Sequence, residues 1–94
     1  MYVRDFNLLL SEATEAYKNK RWAEAVERYA IIAEEYPDHE GLGALNYNSG
    51  LALLRLGRAK EAAVRFRDAI RHGAGSRDAR DATFLLAEAL SRQK

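Results

Sequence analysis

The chain contains no cysteine in its 94 residues. That removes disulfides, thiolate nucleophiles and cysteine metal sites. The absence suits a reducing cytoplasm and a cysteine-poor bacterial envelope equally. Proline occurs once, at Pro37, and strand signals are missing. Net charge is only +1, which argues against a general nucleic-acid binder. No apolar run approaches the roughly 18–20 residues of a membrane helix, so direct membrane insertion is not expected. The segment Met1 to Asp5 lacks the basic start and apolar middle of a signal peptide. These absences do not choose a compartment: the cytoplasm fits, and so does the bacterial periplasm or envelope if a signal segment precedes these residues.

What is present is a period. Ala13, Gly50 and Ala87 stand 37 residues apart. The same step carries Glu24-Ala25 onto Glu61-Ala62, Tyr29 onto Phe66, Ala52 onto Ala89, Leu53 onto Leu90, and Leu10 onto Tyr47 and then Phe84. A fixed period of roughly 20–50 residues marks a solenoid, in which each unit buries its apolar face against its neighbours.

Within the period the pattern is helical. Phe6, Leu9, Leu10, Ala13, Ala16 and Tyr17 share one face of a helix over about 3–19. Lys20-Arg21 makes a tight turn. A second helix runs from about Trp22 to Tyr36, with Trp22, Ala25, Val26, Tyr29, Ile32 and Ala33 as its stripe, until Pro37-Asp38 stops it. A third spans about 41–56 and ends at Gly57, a residue suited to a left-handed terminator. Its Gly41-Leu42-Gly43 start predicts a frayed first turn, because each glycine costs about 1 kcal/mol against alanine. A fourth runs from about 59 to 72 with Ala62, Ala63, Phe66, Ala69 and Ile70 inward, and Gly73-Ala74-Gly75 breaks it. Ser76 caps a fifth over about 77–92.

Charge is unevenly spread. Residues 1–42 carry five Lys/Arg against nine Asp/Glu, a net of −4, and residues 43–94 carry ten against five, a net of +5. Such a division can orient a charged partner or favour head-to-tail contact, and it also arises from ordinary variation between solvated helix faces.

Taken together, these residues resemble tetratricopeptide repeats. The carriers are the small crossing residues Ala13 and Gly50, the turns Lys20-Arg21-Trp22 and Leu56-Gly57-Arg58, Glu24-Ala25 with Glu61-Ala62, Tyr29 with Phe66, then Ala69, and Pro37 closing the first unit. The resemblance implies an all-α, TPR-like α-solenoid of five helices, two antiparallel hairpins plus a C-terminal helix. It is a single domain over 1–94, with repeat one about 6–42, repeat two about 43–79 and a terminal helix about 77–92. Departures are Ile32 opposite Ala69, Ala59 opposite Trp22, Ala74 opposite Pro37, and Glu12 and Ser49 in columns that are usually leucine. The spacing of 37 and the Glu34-Glu35-Tyr36-Pro37-Asp38 run resemble the subtype of bacterial Tol-Pal-associated and outer-membrane-assembly proteins.

The resemblance also implies a concave groove lined by the first helix of each hairpin. Position by position it comprises Leu10, Tyr47 and Phe84; Ser11, Asn48 and Leu85; Thr14, Leu51 and Glu88; and Tyr17, Leu54 and Ser91. Such a surface suits an apolar or amphipathic peptide or helix of a protein partner, in a scaffold or adaptor role. The competing view is that these side chains are partly buried and merely shape the curve. Chaperone-binding members grip a terminal carboxylate with a Lys/Asn clamp; only Asn48 matches it, while Leu10, Thr14, Asp81 and Leu85 fill the other columns, so that ligand is not expected.

Two alternatives remain. Leu86, Ala87 and Leu90 fall in columns that would pack on a following helix, which predicts a homodimer or a covering partner at this edge, unless the fifth helix rotates to tuck the leucines inward. Arg55, Arg58, Arg65, Arg67 and Arg71 could instead form a basic surface that binds an acidic protein or nucleic acid, with binding that weakens steeply as salt rises. Enzymatic chemistry has little to stand on. His39 and His72 lack companions at metal-ligand spacing, Glu34-Glu35 and Asp78 with Asp81 read as solvated charges, and Gly73-Ala74-Gly75 has no phosphate-loop lysine. No cofactor is expected.

Overall fold

Helical periodicity becomes helix at each expected place. The computed structural model describes residues 5–73 and 76–93. In them the chain is all-α, with α1 Phe6–Lys18, α2 Trp22–Glu35, α3 Leu42–Arg55, α4 Ala59–His72 and α5 Arg77–Arg92. The expected first residues of helix one at 3 and 4, and Ala74-Gly75 of the glycine break, lie outside the described residues. α1 packs on α2 and α3 packs on α4 as hairpins, α5 packs on α4, and α3 lies between α1 and α5 and touches both.

The two hairpin turns are built alike. In the first, the Arg21 amide donates to the Ala16 carbonyl at 2.9 Å and the Lys20 amide to Tyr17 at 3.0 Å. In the second, Arg58 donates to Leu53 at 2.9 Å and Gly57 to Leu54 at 3.0 Å. Both are Schellman closures, which need a left-handed residue just past the helix. Gly57 supplies it at φ 76°, and Lys20, one repeat step earlier, adopts φ 61° despite its Cβ. That conformation costs about 1–2 kcal/mol in a non-glycine residue. Lys20→Gly is therefore expected to raise stability by about 0.5–1 kcal/mol after glycine's extra unfolded-state entropy is subtracted. A urea midpoint that stays put or falls would contradict this reading of the turn.

The core divides in two. Phe6, Leu9, Ala13, Ala16, Ala25, Tyr29 and Ile32 of the first hairpin close over Leu42 and Leu45 of α3. Leu53, Ala62, Ala63, Phe66 and Ala69 of the second close over Ala82 and Ala89 of α5. Tyr29 and Phe66 are wholly buried. A Cβ placed on Gly50 would lie 2.6 Å from the Phe66 ring, so the small crossing residue is what lets this ring in.

One expectation needs correction. The start of α3 is pinned rather than frayed: Leu42 is 2% exposed, and a Cβ on Gly43 would come within 3.2 Å of the Gly73 backbone, so glycine here permits a close approach. His39 anchors the link before it. Its ring stacks on Phe6 with centroids 3.6 Å apart, and its Nδ1 accepts from the Gly41 amide at 2.9 Å. α5 starts at the expected cap, where the Ser76 hydroxyl accepts from the Ala79 amide at 3.1 Å. Its small residues Ala79, Ala82 and Ala89 are buried, and Leu86 packs against the second core. Leu90 is 43% exposed and Ala87 is exposed. The face that α5 buries, Ala79, Ala82 and Ala89, is the one that α3 buries one repeat step earlier with Leu42, Leu45 and Ala52, and Ala87 and Leu90 are left exposed.

Candidate functional site

α1, α3 and α5 lie side by side, and the columns expected to line a groove fall along them. Leu10, Thr14, Tyr17, Tyr47, Asn48, Leu51, Leu54 and Leu85 are half-buried. Leu10 and Tyr17 pack on the first core; Tyr47, Leu51, Leu54 and Leu85 pack on the second. These side chains are therefore partly built into the two cores. Phe84 differs, because its ring is 78% exposed.

Aromatic contacts stiffen the surface. The Tyr17 and Trp22 rings meet edge to face at 5.2 Å, and the Arg55 guanidinium sits 5.7 Å above the Trp22 ring. A cation over an indole face is held there electrostatically. Tyr47 meets Phe66 at 6.3 Å, which ties the surface to the buried ring beneath. The Trp22–Arg55 pair was not legible as part of this surface, although Arg55 stands four residues after Leu51, on the same helix face.

Burial raises the Tyr17 phenol above the ordinary tyrosine range, with Tyr29 and Tyr47 adding to the shift and Arg55 opposing it. Tyr47 is raised by burial first, then by the Asp81 and Asp78 carboxylates, against Arg77. The folded chain thus holds these protons more tightly than the unfolded chain. Their contribution is intact below the unfolded tyrosine pKa of about 10 and is lost as pH rises through the higher folded values. Replacing Tyr17 and Tyr47 by phenylalanine is expected to flatten this alkaline fall. A wild-type urea midpoint that does not drop above about pH 10 contradicts this placement of the two phenols.

On the opposite side, α2 and α4 do not meet, and a cavity of about 300 Å³ opens between them over α3. Val26, Tyr29 and Ala30 form one wall, Leu45, Asn46, Ser49 and Leu53 the base, and Glu61, Val64 and Arg65 the other wall. Arg65 Nη1 donates to Asn46 Oδ1 at 3.4 Å, and Arg65 Nη2 pairs with Asp68 at 3.1 Å. A smaller hollow, about 30 Å³, is lined by Leu9, Glu12, Arg28, Ile31 and Ile32, with Glu12 and Arg28 3.5 Å apart. The two hollows are one repeat step apart. Each contains one of the pair Glu12 and Ser49, which occupy the same column of the 37-residue repeat. The short Ser49 side chain leaves space at the base of the larger cavity that neighbouring helices do not fill.

Beside the larger cavity, the Tyr29 hydroxyl is buried without a hydrogen-bond partner among the described residues. An orphaned buried hydroxyl costs about 1–3 kcal/mol. Tyr29→Phe keeps the ring, matches the Phe66 column, and is expected to stabilise by about 1 kcal/mol. A lower melting temperature would mean that the hydroxyl has a partner in solution.

Among the described residues no group of three His, Cys, Asp or Glu is placed to hold a metal, and no helix is long and apolar enough to cross a membrane. Comparison of the chain with protein-family models, with curated proteins and with solved structures finds no match.

Proposed function

We propose that this chain is a non-enzymatic interaction module, two tetratricopeptide-like repeats closed by α5, that binds a peptide or helix of a partner protein across α1, α3 and α5. Phe84 carries the reading. An aromatic ring 78% exposed stands one repeat step beyond the half-buried Tyr47, and aromatic anchors dominate the energetics of protein interfaces. Leu51, Leu54 and Leu85 continue the apolar strip beside it. The 37-residue spacing supports the bacterial envelope subtype within this reading, and a scaffold or adaptor role is part of the same proposal.

The test uses the immobilised chain to capture partners from the source cells. Phe84 lies outside both cores, so Phe84→Ala is expected to melt like wild type and to lose the captured proteins. Retention of the same proteins by a folded Phe84→Ala chain overturns the groove. A second reading, self-association through α5, rests on Leu90 at 43% exposure. Sedimentation at several concentrations separates it, since a dimer that Leu90→Glu dissolves would assign this edge to a second copy.

A further inference from the structure

We propose that the groove takes an internal acidic segment of a partner protein, laid across α1, α3 and α5 with its carboxylates on Lys18, Arg55 and Arg92. The inference rests on the groove reading and supplies the chemistry of its ligand. The three cations stand 37 residues apart, and each lies in the last turn of its helix. Each also follows a groove residue by four positions (Thr14, Leu51 and Glu88), which places it on the same helix face. Since α3 lies between α1 and α5, the cations form a row along one end of the groove.

Their states differ in a useful way. Arg55 is held over the Trp22 ring, so its guanidinium is ordered before any ligand arrives. Arg92 is paired with Glu88, one turn back, an exposed pair of the kind that contributes little to stability and exchanges readily. Lys18 is exposed and has no carboxylate partner among the described residues. At the other end of the groove, the Asp81 and Asp78 carboxylates outweigh the Arg77 guanidinium around the Tyr47 hydroxyl and disfavour an acidic chain there.

Geometry narrows the ligand further. Neighbouring packed helices have axes about 8–10 Å apart. A polyproline-II chain has three residues per turn and rises about 3.1 Å per residue, so every third side chain returns to one face after about 9 Å. The fitting segment is therefore polyproline-II-like, with Asp or Glu at every third position and apolar residues between. A cation in a last helical turn also offsets the helix dipole. That role predicts lost stability in a neutral variant, with affinity unchanged.

Fluorescence anisotropy with the full chain decides between them. The probe is a labelled peptide of three Glu-Pro-Leu triplets, compared with an isomer of the same composition whose glutamates are consecutive, and with a short oligothymidylate. The triplet peptide is expected to bind about tenfold more tightly than its isomer, the worth of one additional charge-assisted hydrogen bond, and to weaken as salt rises. Lys18→Gln, Arg55→Gln and Arg92→Gln should each weaken it several-fold. Glu88→Gln should tighten it, because it releases Arg92, an effect that damage to folding cannot mimic. Equal affinity for the two isomers, no binding of either, or unchanged affinity in the three neutral variants overturns the proposal. Tighter binding of oligothymidylate also overturns it, and assigns the row to nucleic acid. If Phe84→Ala loses captured partners while the neutral variants do not, the groove stands without the acidic ligand. If the neutral variants lose the peptide while Phe84→Ala keeps both peptide and partners, the row stands and the aromatic strip falls.

Discussion

Phe66→Ala is expected to cost about 3–5 kcal/mol, the usual loss when a buried aromatic ring leaves a cavity behind. Phe66 has no exposed surface and closes the second core with Leu53, Ala62, Ala63 and Ala69. A domain of this size holds roughly 5–15 kcal/mol in total, so most of the margin goes. Thermal melts followed by circular dichroism should fall by about 12 °C or more. A shift of only a few degrees would mean that the ring does not occupy the wedge between α3 and α4.

Gly50→Leu should be at least as damaging, from the opposite direction. A Cβ alone at this position would sit 2.6 Å from Phe66 Cε1, and a whole isobutyl group has nowhere to go. Overpacking a core typically costs about 1–3 kcal/mol for a few methylenes and more where the backbone must move. Loss of the cooperative melting transition is the expected result. The milder Gly50→Ala gains about 1 kcal/mol in helix propensity, and the contact with the fully buried ring should still make it a net loss. Combining Gly50→Ala with Phe66→Leu should recover part of that loss, since neighbouring positions couple by about 0.5–3 kcal/mol. Strictly additive losses in the double variant would show that the two residues do not share this space.

Helix ends were legible because each rests on local chemistry. Pro37 cannot continue α2, Gly57 takes the left-handed position after α3, and the Ser76 hydroxyl caps α5. The buried stripes of α1, α2 and α4 were legible from spacing alone. What the sequence concealed depends on neighbours. Gly41 and Gly43 look like weak helix formers until the Phe6 ring and the Gly73 backbone are seen beside them. Lys20 looks like an ordinary turn residue, and only the closure it shares with Gly57 forces φ to 61°. Tyr47 and Leu51 read as groove residues, yet both also pack on the second core, so lysine at both positions would perturb the fold together with the surface. The larger cavity was written at Ser49, a short polar residue on the buried side of α3, but a lone polar residue does not say whether neighbours will close around it.

The pattern of packing between helices carries one more consequence. Among the described residues, helices touch only neighbours in the chain or next neighbours along α1, α3 and α5. Touching residues are therefore close in sequence, and chains of that kind reach the native state within microseconds to milliseconds, without a slow search for distant partners. The same economy makes opening gradual, because an outer helix can detach while the rest stays paired. α1 and α5 each have two helical neighbours, whereas α3 has four. The helix at the middle of the proposed binding surface is thus the last to let go, and its two flanks are the parts that a bound partner would hold in place.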